Sequence, residues 1–104
     1  MAGKTVILMP GTERILERVG ARIKKARLRR NIRAELLAER AGISKATLSA
    51  IEKGTSTVSI GAYAAVLFSL GMDKDLEMIA SDEEQKKHYR EFNLRLRERA
   101  TRKQ

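Results

Sequence analysis

The sequence has no cysteine and no tryptophan, one proline and one histidine. Without thiols, disulfide frameworks, cysteine-based zinc sites and thiol catalysis are excluded. His88 alone cannot build a multi-histidine metal site, and in its charged surroundings it reads as a solvent-facing residue. Aromatic residues are scarce, two Tyr and two Phe, which disfavours reading single-stranded nucleic acid by base stacking. No apolar run approaches the roughly 20 residues that span a bilayer. The run from Val6 to Met9 is too short for the apolar core of a signal peptide, so a cytoplasmic protein is expected. There is also no glycine-rich phosphate loop and no nucleophile in a recognisable catalytic setting. The chain is therefore expected to be no enzyme and to need no cofactor or metal.

What is present is positive charge. The chain has 104 residues, with 22 Lys and Arg against 13 Asp and Glu, a net of +9. Such a length points to one domain with an appendage, and such a charge to an acidic partner. The charge comes in blocks. Residues 1–56 carry 13 basic and 5 acidic side chains, residues 57–85 carry 1 and 6, and residues 86–104 carry 8 and 2. A basic half and a basic tail thus flank an acidic segment, a pattern that points to faces with different jobs.

The pattern along the chain is helical. Thr12 is a candidate N-cap, followed by Glu13 and by an apolar stripe of Ile15, Leu16, Val19, Ile23 and Ala26 at spacings of three and four. Asn31 is a suitable stop. A second short helix fits Arg33 to Ala41, ended by Gly42, and a third runs from Lys45 to Glu52 or Lys53 behind a Ser44 cap, ended by Gly54. Ser59 caps a fourth, Ile60 to Leu70, with Val58 and Tyr63 placed as a hydrophobic staple. A fifth fits Asp73 to Ile79, with Leu76 and Ile79 inward. Ser81 to Glu84 has the form of a capping box, opening a tail helix to about Arg99 that carries Tyr89, Phe92 and Leu96 on one stripe. Residues 4–9 are a short β-prone run before Pro10. It is either a disordered leader or a strand that pairs with a second subunit or a partner. The expectation is an all-α protein. It comprises a compact five-helix domain over 12–80, a short arm over 1–11, and a basic amphipathic tail helix within 81–104.

The informative stretch is RAELLAERAGISKATLSAIEKG, residues 33–54. Two short helices meet at Gly42, Ile43 and Ser44. Three residues allow only a tight corner, which is helix-turn-helix geometry, with the second helix free to enter a major groove. The stretch Ile23 to Gly54 resembles the Cro/C1-type helix-turn-helix family, also called the XRE family. The resemblance rests on Leu37-Ala38, Ala41-Gly42-Ile43-Ser44, Thr47-Leu48-Ser49 and Ile51-Glu52-Lys53-Gly54. It extends over about residues 12–80 and implies sequence-specific binding of double-stranded DNA, usually as a homodimer on a palindromic operator.

Carried over position by position, the resemblance places Lys45, Ala46, Ser49 and Ala50 at base-reading positions. Arg33, Ser44, Thr47, Lys53, Ser56 and Thr57 then fall near the DNA backbone, and Arg27 and Glu52 match a salt bridge between the first and third helices. Two departures matter. Where the family often has a polar cap and a glutamine at the start of the second helix, this chain has Arg33 and Ala34. Two of the four base-reading positions are alanine, which can touch only a thymine methyl, so direct readout is thin and phosphate contacts with shape readout carry more weight.

The stretch Val58 to Ala80 is similar to small regulators encoded beside HipA-type Ser/Thr kinases, the HipB-like antitoxins. This likeness implies a toxin-antitoxin role: a bacterial, nucleoid-associated repressor of its own operon that also restrains a HipA-type kinase toxin. A stand-alone repressor without a kinase has the same DNA chemistry. An RNA-binding or coactivator-bridging protein is the alternative of a different class. Partner or dimer contacts are expected from Val6, Ile7 and Leu8 in the arm, from Phe68, and from Tyr89, Phe92 and Leu96 in the tail. The tail stripe could equally pack on its own domain, and its cations on DNA phosphates or a membrane surface.

Overall fold

The computed structural model describes residues 6–103, with side chains from 6 to 100. Helix α1 spans Pro10–Arg29, α2 Ala34–Ala41, α3 Lys45–Glu52 and α4 Ile60–Ser69; a 3-10 helix, η1, spans Asp73–Met78, and α5 spans Glu83–Lys103. No strand occurs among the described residues. The fold is all-α, a helix-turn-helix domain followed by a C-terminal helix. In the arm, residues 6–9 have no regular secondary structure, and residues 4 and 5 of the β-prone run lie outside the described residues.

The starts and stops follow local chemistry. Helix α1 begins at Pro10, not after a Thr12 cap as expected, and Met9 is extended with φ −63° and ψ 144°. Proline is pre-shaped for a first helical position and has no N–H to leave unpaired there. Four helices end alike, on a residue with positive φ: Asn31 (53°), Gly42 (71°), Gly54 (74°) and Gly71 (74°). At Gly42 the Ile43 N–H returns to the Ala38 carbonyl at 3.0 Å and the Gly42 N–H to Glu39 at 3.1 Å, the bond pair that closes a helix on a left-handed residue. Helix α5 opens after Asp82, whose carbonyl accepts from Lys86 N–H at 2.8 Å. The Ser81 to Glu84 capping box is therefore not the opening of this helix.

The core is drawn from α1 (Ile23, Ala26), α2 (Leu37, Ala38), α3 (Leu48, Ile51) and α4 (Val66, Leu67, Leu70). Two residues expected on inward stripes, Ile15 and Ile79, are exposed, and so is Ile60 at the start of α4. The expected fifth α-helix is a 3-10 helix that ends at Met78, so Ile79 falls in extended backbone beyond it while Leu76 packs against the core. In α1, burial starts only where it meets α3. A Cβ at Gly20 would sit 2.5 Å from the Gly54 nitrogen and 2.6 Å from the Ile51 carbonyl oxygen. The two helices therefore touch backbone to backbone at this point.

Helix α5 is a different case. From 82 to 100 every side chain is exposed except half-buried Asn93. The radius of gyration, 19.8 Å, exceeds the roughly 13 Å of a compact domain of this length, as expected for a helix that stands off the core.

Candidate nucleic-acid interface

Ser44 sets the start of α3. Its Oγ accepts from the Thr47 N–H at 3.0 Å and lies 2.9 Å from the Thr47 hydroxyl. This satisfies a helix-terminal donor that would otherwise be orphaned, and it ties Ser44 and Thr47 into one polar corner. With Leu48 and Ile51 fully buried, the helical period turns Lys45, Ala46 and Ser49 outward; all three are exposed, and Ala50 is half-buried at the edge of the same face. Lys53 caps the far end of α3 and is exposed, as are Ser56 and Thr57 in the next loop. Arg33 is exposed at the N-cap of α2, where its side chain makes no capping bond.

Behind this surface lies an ion pair. Arg27 Nε donates to Glu52 Oε2 at 2.7 Å, with side-chain exposures of 10% and 9%. Arg27 also donates to Glu52 Oε1 at 3.2 Å and to the Ile32 carbonyl at 2.9 Å. One guanidinium thus joins α1, the entry to α2 and the end of α3. The hydrogen bond that Arg27 donates to Glu52 raises the Arg27 pKa further above its already high value, against the opposing effect of burial.

Three features of the site had no signal in the sequence reading. Glu35 Oε1 receives Lys45 Nζ at 3.0 Å, so the leading cation of α3 is held by the first turn of α2. That hydrogen bond, with the charge of Lys45, holds the Glu35 carboxyl below the usual carboxylate range. The pair spans ten positions and two helices, and no single-helix spacing rule connects such residues. Tyr63 Oη donates to the Thr55 carbonyl at 2.7 Å, pinning the loop that carries Ser56 and Thr57; burial raises the Tyr63 pKa. The close approach of Gly20 to Gly54 fixes the depth at which α3 sits on α1.

Of the other expected contact residues, Val6, Ile7, Phe68, Tyr89, Phe92 and Leu96 are exposed and Leu8 is half-buried. The arm, Phe68 and the tail stripe thus lie on separate elements, and of these residues Leu8 shares a hollow with Lys53 and Ser56 at the end of α3. No cluster of three or more metal-ligating side chains occurs among the described residues, and no helix there is long and apolar enough to cross a membrane.

Chemically, the α2–α3 corner offers an ammonium, hydroxyls and small methyl groups on a short helix whose opposite side is locked in the core. That is the form of a major-groove reader flanked by phosphate contacts. Residues 23–66, from late α1 into α4, match the helix-turn-helix family model. Among curated proteins, none matches the chain.

Proposed function

From a helix-turn-helix unit whose second helix is capped, anchored and outward-facing, we propose that this chain is a sequence-specific double-stranded DNA-binding transcriptional repressor of the Cro/C1 type. It acts in the bacterial cytoplasm as a homodimer on a palindromic operator, and it works by binding, without catalysis. The observation that carries this reading is the α3 face of Lys45, Ala46, Ser49 and Ala50, framed by Arg33, Ser44, Thr47, Lys53, Ser56 and Thr57. Lys45 reads guanine from the major groove, Ala46 and Ala50 meet thymine methyls, and Ser49 bonds without strong preference. Arg33 and Lys53 neutralise phosphates. Residues 12–80 are the DNA-binding domain on this reading, with 1–11 and 81–104 as its arm and tail.

The narrower form of the proposal is an antitoxin that represses its own operon and restrains a HipA-type Ser/Thr kinase toxin. It rests on the likeness of Val58 to Ala80 to HipB-like regulators, and co-purification of such a kinase from the native operon tests it. For the DNA reading, an operator is first selected from a random duplex pool. Lys45→Ala should then weaken operator binding by about 1–3 kcal/mol while hardly changing affinity for random duplex. Arg33→Ala should weaken both alike and lower the salt slope by about one. Equal losses on both sequences for Lys45→Ala, or binding that ignores salt, would refute it.

A further inference from the structure

Lys45 is a poor match for the position it holds. It opens α3, where the helix dipole is positive and disfavours a cation. No acidic side chain stands in the first turn of α3 to offset it. The offset comes from the neighbouring helix, because Glu35, in the first turn of α2, receives Lys45 Nζ at 3.0 Å. The side chains of Lys45 and Glu35 are 68% and 59% exposed, and an exposed pair of this kind adds little to stability. Its consequence lies in where the ammonium can go. Arg33, two residues before Glu35, is exposed and enters no ion pair among the described residues.

A lysine ammonium is a compact charge on a flexible stem. Beside a duplex it is drawn to phosphates, which carry no sequence information. Glu35 biases that choice. The ammonium has three N–H donors, and the bond to Glu35 uses one. A guanine edge, whose O6 and N7 are both acceptors, competes only for the hydrogens left over and can share the ammonium with Glu35. A phosphate beyond the α3 face competes for the whole of it, since Lys45 must swing off Glu35 to arrive there. The Glu35 carboxylate also repels a phosphate that comes to meet Lys45. We propose that Glu35 is a specificity-determining residue, which withholds Lys45 from DNA phosphates and keeps it for a base edge. This deepens, and rests on, the DNA-binding reading above.

The corner thereby divides its cations. Arg33 is free to meet a phosphate, and Lys45 is reserved for a base. The division matters because two of the four base-reading positions, Ala46 and Ala50, offer only a methyl group. Lys45 then carries much of the direct discrimination, and its loss to a phosphate removes specificity while keeping affinity. Glu39, the next acid along α2, is exposed like Glu35 but is not the partner of Lys45. Neutralising Glu39 removes the same charge from the same helix and leaves the ammonium where it is.

The test compares the full chain on its selected operator and on random duplex by fluorescence anisotropy over a range of salt, with circular dichroism confirming that each variant folds. Glu35→Gln should tighten binding to random duplex, steepen its salt slope by about one as Lys45 gains a phosphate, and leave the operator slope unchanged. The ratio of operator to random affinity should fall roughly two- to fivefold, the range of an exposed ion pair. Glu39→Gln should leave that ratio as in wild type. In a Lys45→Ala background, Glu35→Gln should act no differently from Glu39→Gln, because the coupling runs through the ammonium. A Glu35→Gln that strengthens both duplexes alike, one that weakens the operator alone, or one that acts equally with and without Lys45 would each overturn the proposal. Such a failure leaves the contrast between Lys45→Ala and Arg33→Ala standing, whereas equal losses on both duplexes for Lys45→Ala alone refute the DNA reading and the proposal with it.

Discussion

Arg27 is one side chain on which three helices converge: it bonds both oxygens of Glu52 and the carbonyl of Ile32. Removing it leaves a carboxylate nearly out of water without a partner. Arg27→Ala is therefore expected to cost about 3–5 kcal/mol, read as a lowered urea midpoint at unchanged slope. Glu35 shows a second kind of residue effect. Its folded pKa is depressed by the bond from Lys45, so the bridge is present above the ordinary carboxylate pKa and is lost as pH falls through the lowered value. An NMR titration should place the Glu35 midpoint below that of a free glutamate, and Lys45→Ala should move it back up. In neutral solution the pair restrains the cation that the proposed DNA contact uses, and a phosphate or a guanine must compete with Glu35 for it. The Arg27–Glu52 pairing was within reach of sequence reading because both positions lie in a recognisable motif. The Glu35–Lys45 pairing was not, because only the corner at Gly42 to Ser44 brings the two residues together.

At the scale of elements, four helix stops and the starts of α3 and α4 were legible, whereas the starts of α1 and α5 and the helix contacts were not. Ser44 and Ser59 cap α3 and α4 by bonds to Thr47 and Ala62, and Asn31, Gly42, Gly54 and Gly71 stop four helices. These are properties of a few adjacent residues. The contact of α1 with the end of α3 is of another kind, since Gly20 lies mid-helix and carries no local turn signal. Gly20→Ala should push the helices apart or strain them, costing about 1–3 kcal/mol and lowering the melting temperature by roughly 4–8 °C per kcal/mol. Gly54→Ala should be worse, because its left-handed backbone opposes a side chain as well. The fifth helix and Ile79 were misread for a related reason. The spacing of Leu76 and Ile79 fits an α-helix, but the segment packs through Leu76 alone and closes as a 3-10 helix before Ile79.

Across the whole molecule, the structure redistributes the meaning of the charge. Residues 10–30, essentially α1, carry 8 basic and 2 acidic side chains, whereas residues 33–57, with α2 and α3, carry 4 and 3. The reading corner is nearly neutral. On the proposed reading, specific contact by Arg33, Lys45 and Lys53, not a strong basic field, would hold DNA there. The tail is separate from the domain's stability. Deleting residues 83–104 should leave the melting temperature unchanged at high ionic strength, since α5 keeps its side chains exposed. A large drop in a calorimetric melt would show that α5 buries part of the core.

Helix order, four of the stops, the tight corner and the residue types on α3 can be read from the chain locally, because each depends on bonds among neighbours or on a 3.6-residue period. That α1 and α3 meet at two glycines, that Lys45 is held by Glu35, and that α5 keeps its side chains clear of the core are set by the tertiary arrangement. Those outcomes depend on where distant segments come to lie, and no local spacing encodes a distance across a fold.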